Sequence, residues 1–165
     1  RLASGSAPVR TYRAAGVRLG LGVDGSASND GNHMIGEARQ AMLLSRLAAS
    51  PALEGGELLT AREALEIATL GSAAVLGRDD VGSLEVGKRA DQIQVEFSDV
   101  QHNPTFDVVS HLVNVSDEQD VATVVVDGKV LIQDREILTL YTETIAREAR
   151  ELAGRIQAAL AERNR

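Results

Sequence analysis

The segment Val17-Arg18-Leu19-Gly20-Leu21-Gly22-Val23 is apolar at every odd position and runs straight into Asp24-Gly25. A period of two is the mark of a β-strand, whose side chains alternate between faces. The sequence therefore predicts a strand over 17–23, with Gly20 and Gly22 leaving room for another backbone or a ligand. A lone strand leaves its backbone N–H and C=O groups unpaired along both edges. It demands neighbours that this chain need not contain, and so favours self-association or a partner chain.

Helices surround that strand. Val9 to Ala15 reads as a short helix, with Pro8 near its first turn and Gly16 as its stop. A second helix is predicted from His33, where Ile35, Ala38, Met42 and Ser45 recur every three or four residues and Leu44 and Leu47 widen the stripe. Ser50-Pro51 and Gly55-Gly56 mark a loop. Thr60-Ala61-Arg62-Glu63 has the form of a capping box, and the helix behind it carries Leu65, Ala68 and Val75 on one side.

After Gly77 the pattern changes. Ile93, Val95 and Phe97 alternate with Gln94 and Glu96, predicting a half-buried strand. Two apolar runs, 122–126 and 130–132, flank Asp127-Gly128-Lys129, a hairpin signal because both turn residues need positive φ. Ile145, Ala149, Leu152, Ile156 and Ala159 stripe a terminal helix of about five turns. Helices thus follow a strand in the first half, strands dominate the second, and the boundary falls near residue 80. With a 2% aromatic share and no Trp, any core is built from Leu, Val, Ile and Ala.

Composition removes several function classes. Seventeen Lys and Arg against 24 Asp and Glu give a net charge of −7, the wrong sign for a nucleic-acid groove. No apolar run approaches the roughly 20 residues that cross a bilayer, and no stretch is a basic amphipathic helix, so no membrane partner is expected. The absence of cysteine excludes disulfides, thiolate metal sites and a cysteine nucleophile, and fits a reducing cytoplasm. Arg1-Leu2-Ala3-Ser4-Gly5 lacks both an initiator Met and the form of a signal peptide, so the chain is expected to begin inside a longer protein.

Asp24 is the strongest chemical candidate. A carboxylate where a buried strand opens into the polar loop Ser26–Asn32 can ligate a metal or accept a proton from metal-activated water; the competing reading of Asp24-Gly25 is a plain turn. His33 and Glu37, four apart on one helix, can share a metal but supply two ligands where catalytic zinc usually takes three. An exposed helix-start histidine near a carboxylate is the simpler account. His102, in a loop, and His111, on a short helix, have no partner in sequence and read as structural. Ser28 lacks the Gly-x-Ser-x-Gly context of a nucleophilic serine. Gly20, Gly22 and Gly25 fail the spacing of both the dinucleotide and P-loop fingerprints.

Leu19-Gly-Leu-Gly-Val-Asp-Gly-Ser-Ala-Ser-Asn-Asp30 closely resembles the eighth-strand motif of the amidohydrolase superfamily, in the branch that holds purine and triazine deaminases and hydrolases. The resemblance continues through 37–44, 59–71, 82–91 and 124–130, in family order and over nearly the whole chain. It implies an α/β architecture: the C-terminal part of a metal-dependent (β/α)8 barrel, then part of a small β-sandwich, then a long C-terminal helix. The corresponding segments are 1–80, 81–140 and 141–165.

By the same resemblance, Asp24 is a metal ligand and the catalytic acid/base, while the loop after it, with Ser28 and Asn29, binds substrate. The cofactor implied is one divalent metal, zinc ahead of iron, in the full-length enzyme, with none retained by this chain. The family's His-x-His pair and two later histidines lie upstream of Arg1, and His33, His102 and His111 do not match them. Gln92, Gln94 and Tyr141 also depart from the family's pattern, in the sandwich rather than the chemistry.

The expected function is that of the C-terminal part of a hydrolase that deaminates an aminated purine or triazine-like heterocycle. The isolated chain is expected to be inactive, and to self-associate or join the missing N-terminal part. The rival is a non-catalytic interaction module descended from an amidohydrolase.

Overall fold

The computed structural model describes residues 5–47 and 58–163. The loop expected at Ser50-Pro51 and Gly55-Gly56 lies outside the described residues. The first part is helical: α1 (Val9–Ala14), α2 (Met34–Leu47), α3 (Ala61–Glu66), a π-helical turn over Ile67–Gly71, and α4 (Ser72–Val75). Then follow β1 (Gln92–Val95), α5 (Val108–Asn114), β2 (Val121–Val126), β3 (Lys129–Gln133), β4 (Glu136–Ile137) and α6 (Thr142–Arg163).

Local chemistry explains most of these boundaries. Gly16, at φ +70°, stops α1. The Thr60 hydroxyl accepts from Glu63 N–H and the Glu63 carboxylate accepts from Thr60 N–H, completing the expected capping box of α3. Arg13 of α1 pairs with that same carboxylate at 2.7 Å. The Arg13 hydrogen bond and then the Thr60 N–H hold Glu63 down to about 2. One acidic residue thereby caps α3 and fastens α1 to it.

The core gathers Ala38 and Met42 of α2, Leu59, Ala61 and Ala64 around α3, and Val113 of α5, with Val9, Leu21, Leu65, Ile67 and Ala68 packed against them. Arg39 reinforces this seam. Its guanidinium donates to Val113 O (2.8 Å) and Ser116 O (2.5 Å), carbonyls that the end of α5 leaves without helical partners. The stripe predicted on α2 buries at Ala38, Met42 and Ser45, but Leu44 and Leu47 point to solvent. Val75 is exposed too. The π turn takes up one residue more than an α turn, which rotates everything after it away from the extrapolated face.

Residues 17–25 carry no hydrogen-bonded strand, which corrects the strand expected over 17–23. The alternation is present, but among the described residues no strand lies beside it to complete a ladder. The segment is fastened to a helix instead: Leu21 N–H donates to Ser72 Oγ (3.1 Å), and Arg18 reaches Ala74 O (3.3 Å).

The four strands form one antiparallel sheet in sequence order, β1-β2-β3-β4. Gln92 lies opposite Val125 and Val124 opposite Ile132, with irregularities at 94/95 and 124/125. Asp127 (φ 51°) and Gly128 (φ 75°) make the expected two-residue turn. A second such turn, Asp134-Arg135, joins β3 to β4. The strand expected through Phe97 stops at Val95, where the bulge breaks register, and β1 is mostly exposed rather than half buried.

An ion cluster, Arg78, Asp80, Arg89 and Asp127, ties the irregular stretch after α4 to the hairpin turn, with contacts of 2.7–2.9 Å. The terminal helix α6 is 22 residues, about six turns rather than five, and none of its side chains is buried. Its apolar stripe at Ile145, Leu152 and Ile156 is about half exposed.

Candidate functional site

Asp24 sits at φ +63°, a left-handed conformation uncommon for a side-chain-bearing residue and best tolerated by Asp and Asn. There the chain leaves its extended run and turns, with Ser28 and Asn29 N–H both donating to Gly25 O. The turn wraps the carboxylate in donors: Gly25 N–H reaches Oδ1 at 2.7 Å, and the Ser28 hydroxyl reaches Oδ2 at 2.7 Å. The Ser28 bond and then the Gly25 bond hold Asp24 below its ordinary 3.8, outweighing a small opposing effect of burial. Each oxygen accepts one bond and keeps a free lone pair, and the group faces solvent. An ionised, oriented carboxylate of this kind can ligate a hard or borderline cation or hold a proton.

Both accounts of Asp24-Gly25 thus meet in one structure: it is a turn, and the turn aims a carboxylate. Ser28, half-buried, spends its only proton within this constellation, on Asp24 or on Gly25 O at 2.9 Å. Asn29 is tied to the scaffold, donating to Glu37 Oε1 of α2 (2.5 Å) and accepting from Gly31 N–H (2.9 Å). It retains one amide N–H and one lone pair.

His33 is not the exposed histidine that its place at a helix start suggested. Its side chain is 16% exposed, and Nε2 lies 3.6 Å from Glu118 Oε2. Gly36 allows the ring to fold back, since a Cβ there would stand 2.7 Å from His33 Cδ2. Glu37 is directed to Asn29. The structure therefore engages His33 and Glu37 with different partners.

His102 and His111, unpartnered in sequence, meet in space, with His102 Nδ1 2.9 Å from His111 Nε2. His102 is fully buried, stacks on Phe97 at 4.8 Å, and brings Nε2 to 3.1 Å from Asp120 Oδ1 without the alignment of a good hydrogen bond. Burial pushes the Asp120 carboxyl up, but the Asp117 N–H and His102 outweigh it, so the net direction is down. This cluster stitches the end of β1 to α5 and the turn before β2. The two histidines are nine positions apart, and the stretch between them has no period from which their meeting could be read.

Among the described residues no group of three or more His, Asp or Glu side chains could hold a metal ion. The Asp24 carboxylate has the chemistry to serve as one ligand of such a site, and the described residues do not complete one.

Residues 1–131 match the profile of the amidohydrolase family. The chain is 40% identical over 153 residues to 5-methylthioadenosine/S-adenosylhomocysteine deaminase of Desulfitobacterium hafniense (strain DSM 10664 / DCB-2), covering 93% of this chain and 34% of the relative. Its fold superposes on an adenosine deaminase from Xanthomonas campestris with bound zinc (TM-score 0.86, 36% identity, 95% of this chain and 35% of that one). It likewise matches the atrazine chlorohydrolase of Arthrobacter aurescens TC1 complexed with zinc (TM-score 0.80, 37% identity, 90% and 32%). The chain spans about a third of the length of each. With the profile running through the Asp24 turn, α2, the capping box and the Asp127-Gly128 hairpin, the chain belongs to the amidohydrolase family.

Proposed function

We propose that this chain is the C-terminal part of a metal-dependent hydrolase that deaminates an aminated purine or triazine-like heterocycle. The observation that carries the reading is 40% identity, over 93% of the chain, to a deaminase of adenosine-type substrates. In this reading residues 1–80 close the C-terminal end of the barrel, 81–140 contribute part of a β-sandwich, and 141–165 form the terminal helix.

Hydrolytic deamination adds water across a ring carbon–nitrogen bond: oxygen bonds to the carbon, the exocyclic C–N bond breaks, and ammonia leaves. A divalent metal, zinc ahead of iron, makes water nucleophilic near neutral pH. Asp24 would be a ligand to that metal from this chain, and the group that takes the proton from water and passes it to the leaving nitrogen. Its lowered pKa keeps it ionised, the form that would ligate a cation. Ser28 and Asn29 line the substrate side of the same turn, where Ser28 orients the carboxylate and the remaining amide N–H and lone pair of Asn29 face the heterocycle.

The test is ammonia release by the longer protein encoded with this chain, assayed on adenosine-type nucleosides and aminotriazines before and after chelation. Activity that chelator removes and zinc restores, and that Asp24→Asn abolishes, is the expected result. The 165-residue chain alone should release none. Activity in that chain, or its persistence in Asp24→Asn, would sink the reading.

A further inference from the structure

The residues between the helical core and Asp24 make an unusually close crossing. Oγ of Ser72, the first residue of α4, is 3.1 Å from Leu21 N and 3.3 Å from Leu21 O, within hydrogen-bond distance of both backbone groups of one residue. It also lies 3.1 Å from Ile67 O. A hydroxyl has one proton. Ser72 therefore accepts from Leu21 N–H and donates to one of the two carbonyls, Ile67 O being the nearer.

The surroundings are shaped for this contact. A Cβ on Gly71 would stand 2.3 Å from Leu19 O, and one on Gly20 would stand 2.9 Å from Ser72 Cα. Both glycines are needed because backbone meets backbone. The π turn over Ile67–Gly71 widens the helix where the 19–21 segment lies on it. Arg18 adds a third tie, to Ala74 O. Three residues after Leu21 the chain reaches Asp24.

Among the described residues the segment has no ladder, and the side chain that meets its backbone is Ser72, at Leu21. We infer that Ser72 is a positioning residue for Asp24: through Leu21 it fixes the register of the segment that delivers the carboxylate. The inference rests on the proposed role of Asp24. Ser72 touches neither substrate nor metal, and its effect on the reaction passes through the backbone. A misplacement of about 1 Å at a reacting group can cost about 100-fold in rate, so a clamp three residues away bears directly on turnover.

Two measurements test it. In the 165-residue chain, hydrogen exchange at the Leu21 amide should be at least about tenfold faster in Ser72→Ala than in the wild type, the expected result of losing the acceptor. In the longer protein, Ser72→Ala should lower kcat by about 10–100-fold while KM changes by less than about twofold. Ser72→Thr, which keeps the hydroxyl, should restore most of that loss. Gly20→Ala, which keeps Ser72 but forces the two backbones apart, should repeat the kcat defect and serves if Ser72→Ala does not fold. Unchanged Leu21 exchange, or an active protein in which Ser72→Ala leaves kcat intact, overturns the inference. An inactive wild type is a different result, because it removes the proposed function itself and leaves Leu21 exchange to decide whether the clamp exists.

Discussion

Asp24 illustrates how much of a single residue's role its sequence neighbours disclose. Its place after an alternating apolar run marks it as chemical, and its company, Gly25 and Ser28, is legible as a turn. What the neighbours do not disclose is that the turn residues donate to the carboxylate itself, because a left-handed φ at a non-glycine residue leaves no periodic trace. That geometry gives a prediction at the same scale. Replacing Ser28 by Ala removes the donor that lowers Asp24 most, so its carboxyl should titrate at higher pH, followed by NMR of its side-chain carbonyl. The sign for stability follows. A carboxyl lowered in the folded state stabilises above its ordinary 3.8 and loses that contribution as pH falls through the folded value. Ser28→Ala should therefore make the chain less dependent on pH in the acid range. An Asp24 titration that does not move would show that Ser28 does not hold the carboxylate. The histidines teach the opposite lesson: His102 and His111 carry no sequence signal for each other, yet they meet across a fully buried ring.

Among the elements, those with a local chemical cause are the legible ones. The capping box of α3, the glycine stop of α1 and the Asp127-Gly128 turn each depend on residues close together in sequence, and all are present. The Asp134-Arg135 turn is not legible, because an arginine at φ 67° has no intrinsic preference for that state. It is held from outside, by Arg135 N–H to Ala122 O and its guanidinium to Gln119 O and Glu96. The run 17–23 has the period of a strand but no ladder partner among the described residues. The hairpin supplies a direct check. Gly128 is at φ 75° with nothing within 4 Å of where a Cβ would stand, so Gly128→Ala meets no clash and isolates backbone strain. It should cost about 1 kcal/mol in urea unfolding. A neutral result would mean that the turn relaxes without cost.

At the scale of the whole molecule, the family is legible from motifs in order, whereas the distribution of buried surface is not. Periodicity predicts that a face is apolar without saying what covers it. On α6 the stripe exists and no side chain is buried, so the helix contributes little to the stability of the remaining fold. Ending the chain after Tyr141 should therefore shift its thermal midpoint by no more than about 3 °C, the equivalent of about 1 kcal/mol. A fall several times larger would place α6 in the cooperative core.

The core itself has a consequence in time as well as in space. Among the described residues of that core, Ala38, Met42, Leu59, Ala61 and Ala64 precede β1 in the chain, but Val113 lies on the far side of β1. Until α5 is made, Met42 and Leu59 lack one wall and Arg39 lacks both of the carbonyls it grips. The nascent helices must wait through about 50 further residues of translation with apolar surface uncovered. That interval is when this chain is most open to misassembly, and a stalled or prematurely ended translation product would carry the same uncovered face.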